Sequence, residues 1–327
     1  MNHRKWVGIG IASGILLIAL GVGIALSEHP PAARSTPPVP ATTHAPTTPT
    51  ATQTPLPTAT PEPPRFDGEA AYRHVLEQCG FGARPTGSIN NQLLGDYLIA
   101  RLRQYGWETE VQEFTYREVP GRNIVARRGQ GPLVILGAHY DTRPYADYDP
   151  PETQSQHILG ANDGGSGVAV LLELARVLDM ERVPYEVRLL FFDAEDRGNL
   201  DGWPFSVGAE QYAAALDVEP KYVIVVDMVG DENQLLYWDG NSDPELNSQI
   251  WTLAQDLGYG EHFIPETRWQ MIDDHLPFAK RGWPAIDIID FDYPYWHTTQ
   301  DTADKVRVES LARVGRVIQV FLEGAGA

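Results

Sequence analysis

Histidines and carboxylates stand at the ends of apolar runs in this sequence. Leu133-Val134-Ile135-Leu136-Gly137-Ala138 leads into His139 and Asp141, and residues 187–192 lead into Asp193-Ala194-Glu195-Asp196. Residues 222–226 lead into Asp227, and residues 285–289 precede Trp296-His297. Zinc takes imidazole nitrogen and carboxylate oxygen where thiolates are not offered, and a catalytic zinc site uses three protein ligands and one open position. Asp163, Asp196 and His297 fit that set. Asp163 precedes Gly164-Gly165-Ser166-Gly167, where glycines let the backbone approach a site and a helix N-terminus favours an anion. Glu195 and Asp196 are consecutive after a strand pattern, so their side chains diverge: one can hold a metal while the other faces substrate as an acid or base. Each of these residues also has an ordinary role as a helix cap or a solvated acid; their arrival together at strand ends is what points to chemistry.

The elements that position them alternate. Helical spacing covers residues 70–79 and 91–105, and strand patterns cover 108–115, 123–128 and 132–138. A helix over 164–180, a strand over 186–193, a helix over 208–215 and a strand over 222–227 follow. A helix over 244–257, a strand over 285–289 and a last helix over 308–324 complete the pattern. Apolar strands separated by helices predict an α/β fold, with a mostly parallel central sheet flanked by helices on both faces. In such a sheet the ligand site lies beyond the carboxyl ends of the strands, where these acids and histidines fall.

Taken in order, His139-Tyr140-Asp141-Thr142, Gly160-Ala161-Asn162-Asp163-Gly164-Gly165-Ser166-Gly167, Phe191-Phe192-Asp193-Ala194-Glu195-Asp196, Asp227, Asp273-Asp274-His275-Leu276-Pro277-Phe278 and Trp296-His297-Thr298 resemble the metal and catalytic blocks of zinc aminopeptidases and secreted glutaminyl-peptide cyclotransferases. The resemblance runs from Gly82-Ala83-Arg84-Pro85-Thr86-Gly87-Ser88 to the C-terminus. It implies one zinc on Asp163, Asp196 and His297, with Glu195 as the proton shuttle. Trp296 looks like the cyclase indole that packs on substrate, Asp273 stands where typical aminopeptidases have serine, and Arg281-Gly282-Trp283-Pro284 is similar to the segment that follows in cyclases. On that reading the acids Asp227 and Asp273 approach each other beside the zinc, and the substrates are peptides or proteins with a free N-terminal Gln. The pattern also departs from the family. Asp196 is shorter than the usual Glu, Asp287 replaces the His of animal cyclases, and their disulfide is absent. His139 and Asp227 are the residue types that would hold a second zinc in an aminopeptidase, which is the alternative reading. A catalytically silent peptide-binding surface protein is the third, and Glu195 with its three neighbouring ligands argues against it.

The 327 residues carry a net charge of −19 and one cysteine, Cys79. Phosphate contacts need Lys and Arg, so a chain this acidic is not expected to bind nucleic acid. Residues 1–5 are basic, and residues 6–27 carry no charge. This run is longer than the apolar core of a signal peptide, about 7–15 residues, and close to the roughly 20 of a spanning helix. A membrane anchor is therefore expected, with a cleaved signal at Ala25-Leu26-Ser27 as the alternative. Residues 28–64 are nearly all Pro, Thr, Ala and Ser and predict a disordered linker. One catalytic domain remains, residues 65–327, held outside the cytoplasm by the anchor or secreted if the segment is cleaved.

Overall fold

In the computed structural model, which describes residues 65–324, the apolar runs are strands and the chemistry-bearing residues follow them. The chain opens with helices α1 (Gly68–Gly80) and α2 (Ile89–Gln104), each begun by a capping side chain: Asp67 accepts from the Glu69 amide and Ser88 from that of Asn91. Then come β1 (Glu108–Tyr116), β2 (Val119–Gly129), β3 (Leu133–His139), α3 (Gly165–Val177), β4 (Glu186–Phe192), α4 (Val207–Ala215) and β5 (Tyr222–Asp227). They are followed by β6 (Leu236–Asp239), α5 (Pro244–Asp256), β7 (Phe263–Trp269), α6 (Leu276–Ala279), β8 (Ala285–Ile289) and α7 (Val308–Glu323).

Six strands form one sheet in the order β1-β2-β4-β3-β5-β8. Strands β4, β3, β5 and β8 are parallel, while β1 and β2 add an antiparallel edge. Every residue of β3, β5 and β8 is buried, which is why they read as apolar runs, broken in β8 by Asp287 alone. Alternate residues face opposite ways: Val134, Leu136 and Ala138 join the core that includes Val168 and Leu171 of α3 and Val314 and Ile318 of α7. Leu133 and Ile135 join Ala209, Tyr212 and Ala213 of α4 and Phe278 of α6. The expected sheet with helices on both faces is the one observed.

Register carries this arrangement to the site. His139 pairs with Phe192 and Asp227 with Ile289, so β3, β4, β5 and β8 finish level at one edge. The short pair β6–β7 and the single turn α6 had no counterpart in the sequence pattern. Strand β7 is exposed through its middle and β6 spans four residues, so neither has an alternation to detect. Residues 1–5, 6–27 and 28–64, with their expected basic end, anchor and linker, lie outside the described residues. Among the described residues no helix is long and apolar enough to cross a membrane.

Candidate active site

The strand ends bring together residues from five separate parts of the chain. His139 closes β3, Asp227 closes β5, Glu195 and Asp196 lie just past β4, His297 lies on the loop after β8, and Asp163 precedes α3. Asp163 is not used as a helix cap, because the cap position is Gly164 with no side-chain bond. Gly164 has φ +76, and a Cβ there would sit 2.9 Å from His139 Cε1, so the close approach of this loop to β3 requires glycine. Three non-glycine residues at the site also adopt left-handed backbone: Ala194 at φ 62, Met228 at φ 46 and His297 at φ 57. Such conformations cost about 1–3 kcal/mol each and persist where surrounding structure enforces them.

Two groups of possible metal ligands result, and Asp163 belongs to both. Asp163, Asp196 and His297 offer atoms within 4.8 Å of one another, as do His139, Asp163 and Asp227. His297 Nε2 is 3.1 Å from Asp196 Oδ1 and 3.8 Å from Asp163 Oδ2. His139 Nε2 is 3.2 Å from Asp163 Oδ1 and 3.2 Å from Asp227 Oδ1. All five residues are buried.

Burial is the largest influence on these carboxyls and raises them. Asp196, with Asp163 beside it, is pushed up to about 6, and Asp227 to about 7 although His139 opposes the rise. Glu195 stands well above the usual carboxylate range through burial, with His139 opposing and Asp273, Asp274 and Asp196 adding to it. Asp163 goes the other way: burial would raise it, but the hydrogen bond and charge of His139 and the charge of His297 outweigh that effect. Crowded buried acids are stabilised by protons or by a cation. The mixed imidazole and carboxylate donors suit a divalent ion such as zinc.

A surrounding layer of residues fixes these side chains. Asp141 accepts the amides of Glu195 at 3.1 Å and Asp196 at 3.2 Å. Asp301 accepts those of Asn162 at 2.9 Å and Asp163 at 3.1 Å, and also the Tyr293 hydroxyl. Arg143 donates to both carboxylate oxygens of Asp147, at 2.6 and 2.7 Å, and to the carbonyls of Asp196 and Gly198. Asp147 Oδ1 in turn lies 3.7 Å from His297 Nδ1. Buried Arg84 donates to the carbonyls of Tyr140, Leu159 and Gly160, tying the loop before Asp163 to β3. Sequence reasoning singled out none of Arg84, Arg143, Asp147 or Asp301 for a role. The one available signal was proximity in sequence, since Arg143 follows Asp141 closely and Asp301 follows His297.

These groups open into a cavity of about 250 Å³ lined by Asp163, Asp196 and His297, by Glu195, Asp227 and Asp273, and by apolar residues including Phe205, Met271, Phe291 and Trp296. Trp296 lies against the His297 ring, with centroids 3.8 Å apart, and meets Phe291 and Tyr148 edge-on at 4.8 Å each. Asp227 and Asp273 both face the cavity but bond elsewhere. Asp227 meets His139, Asp273 takes the Asp274 amide, and among the described residues no hydrogen bond joins the two acids. Asp287 lies behind the cavity on β8, fully buried, with Oδ2 3.9 Å from His275 Nδ1, while His275 Nε2 meets Asp239 at 3.0 Å.

The family model of peptidase family M28 matches residues 123–322. Among solved structures, a glutaminyl cyclase of Porphyromonas gingivalis superposes with a TM-score of 0.76 at 32% identity, over 80% of this chain and 99% of that one. A leucine aminopeptidase precursor of Bacteroides thetaiotaomicron superposes with a TM-score of 0.76 at 30% identity, over 80% and 99%. A glutaminyl-peptide cyclotransferase-like protein of Bos taurus is 24% identical over 279 residues, which cover 73% of this chain and 71% of the relative.

Proposed function

The chain belongs to peptidase family M28, and from that membership and the geometry of its site we propose that it cyclises the N-terminal glutamine of peptides to pyroglutamate with release of ammonia. The observation that carries this reading is one cavity in which Glu195, Asp227 and Asp273 face the Asp163–Asp196–His297 group, with Trp296 as a wall. The similarity to glutaminyl cyclases in both sequence and structure supports it.

Asp163, Asp196 and His297 would hold one zinc, which when bound supplies Lewis-acid polarisation of the substrate's side-chain carbonyl. The remaining work falls to the protein's own residues. Glu195 accepts a proton from the α-amine as that nitrogen attacks the side-chain amide carbon, and returns it to the amide nitrogen, which leaves as ammonia. One C–N bond forms, one breaks, and the proton is conserved. Asp227 and Asp273 orient the amine, and Trp296 packs on the glutamine side chain so that the five-membered ring closes from a preset geometry. Residues 6–27, following the basic His3-Arg4-Lys5, support a domain held outside the cytoplasm by a membrane anchor, or secreted after cleavage.

The second reading is a two-zinc aminopeptidase, favoured by the His139–Asp163–Asp227 group and by the likeness to an aminopeptidase precursor. Product identity with a Gln-initiated peptide separates the two. Cyclisation gives ammonia and a peptide lighter by one ammonia, whereas free glutamine and a shortened peptide would establish the aminopeptidase. Trp296→Ala should slow cyclisation while leaving zinc content intact.

A further inference from the structure

The acids that face the cavity are not equally supported. Glu195 lies just past β4 and Asp227 closes β5, both in the central sheet, whereas Asp273 stands on the loop between β7 and α6. Among the described residues its carboxylate takes only the amide of its neighbour Asp274, and Ile272 before it is 61% exposed. A loop holds a side chain less exactly than a strand does, so the placement of Asp273 depends on what grips the chain around it. One buried carboxylate grips both sides. Asp239, at the end of β6, accepts the Met271 amide on Oδ1 at 2.6 Å, and its Oδ2 lies 3.0 Å from Nε2 of the fully buried His275. The turn that follows adds to this hold: Gly240 donates to the Trp269 carbonyl and the Asn241 side chain to the Met271 carbonyl, each at 2.7 Å. The turn is itself fastened to the sheet. The Ser242 hydroxyl donates to Asp239 and accepts the amide of Asp287 on β8, and the Asp243 amide donates to the Ala285 carbonyl. Burial would raise the Asp239 carboxyl, but His275 and the Met271 amide outweigh that effect and hold it below its ordinary value.

We infer that Asp239 is a positioning residue of this site, which sets where the Asp273 carboxylate meets the substrate's α-amine by holding the chain on both sides of it. The inference rests on the cyclisation reading, which gives Asp273 that task. Asp239 does not line the cavity, so it acts through Met271 and His275. Losing it frees residues 271–275 from the turn and from β8, while α6 still begins at Leu276, whose amide donates to the Asp273 carbonyl at 2.9 Å. The result is a carboxylate that is present but misplaced, which slows a reaction dependent on orientation more than it weakens binding.

The test is steady-state cyclisation of glutaminamide by the full chain. Asp239→Asn keeps the size and one acceptor oxygen, and should lower kcat about tenfold with KM and zinc content little changed, since a misplacement of about 1 Å costs up to about 100-fold. Asn241→Ala removes only the bond to the Met271 carbonyl, so it should lower kcat less, and it guards against a folding defect in the first variant. In an Asp273→Asn background, Asp239→Asn should change kcat by less than about twofold, because no carboxylate is left to place. Hydrogen exchange should quicken in residues 269–276 of Asp239→Asn and nowhere else. Unchanged kcat in Asp239→Asn, or the same loss repeated in full in the Asp273→Asn background, would overturn the positioning role, while ammonia release leaves the function standing. Free glutamine as product would overturn the cyclisation reading; exchange in residues 269–276 would then decide the hold on this loop by itself, with unchanged rates removing it.

Discussion

The two groups built on Asp163 close differently. In one, His139 Nε2 lies 3.2 Å from both Asp163 and Asp227, so a single imidazole already links its two acids. In the other, His297 Nε2 is close to Asp196 but 3.8 Å from Asp163. His297 lines the cavity and His139 does not. On the proposed reading the Asp163–Asp196–His297 group, all of whose members line the cavity, would share an ion with substrate, while His139, set back from the cavity, would hold Asp163 and Asp227 in position. That contrast is the ground for expecting one zinc, which the zinc content of the variants below tests.

Removing a ligand from the open group should have the largest effect. Asp196→Ala or His297→Ala should lose both zinc, measured by elemental analysis, and detectable turnover, while His139→Ala should keep most of its zinc. Two zinc ions per chain in the unaltered protein, or equal zinc loss in His139→Ala, would erase the distinction between the groups.

Next comes the proton shuttle. Glu195→Gln preserves size and should lower kcat by about 10²–10⁴ with zinc content unchanged. Unaltered turnover in this variant would move the general base to another residue of the cavity, Asp227 or Asp273.

A smaller effect is expected one layer out. Arg143 touches both arms of the open group, through the Asp196 carbonyl and through Asp147 beside His297. Arg143→Ala should weaken zinc binding by about 10–100-fold in a chelator competition, the usual cost of losing support behind metal ligands. The same measurement on a variant of the closed group, Asp227→Asn, should give a smaller change; the reverse order would break the comparison.

The smallest effect concerns the region before Arg65, which contributes no proposed ligand or cavity residue. A chain beginning at Arg65 should match the full chain in kcat/KM and in thermal midpoint, and loss of folding would show that the first 64 residues pack against the domain.

The sequence by itself determined the sheet and the place of the chemistry. Strands buried on both faces leave continuous apolar runs, as over Leu133–His139 and Tyr222–Asp227, and in a parallel sheet such runs must end at the edge where ligands bind. Asp163, Glu195, Asp196, Asp227 and His297 were therefore legible as residues following runs or opening a helix. Asp273 and Trp296 were legible only through resemblance, since neither ends a strand. What the tertiary structure decided is which of these atoms meet and what supports them. That Asp163 serves both groups depends on the level register of β3 and β5 and on the turn at Gly164. The bond from the Asp163 amide to Asp301 joins residues 138 positions apart, beyond any periodic signal. Arg143 and Asp147, four residues apart, read locally as an ordinary surface ion pair, yet the fold leaves Arg143 only 3% exposed against Asp196. Phe205 and Ile272 are single apolar residues in loops, and only the meeting of those loops brings both into the wall of the active-site cavity. Local periodicity reports which face of an element is buried, whereas contacts between loops are set by the packing of the whole sheet.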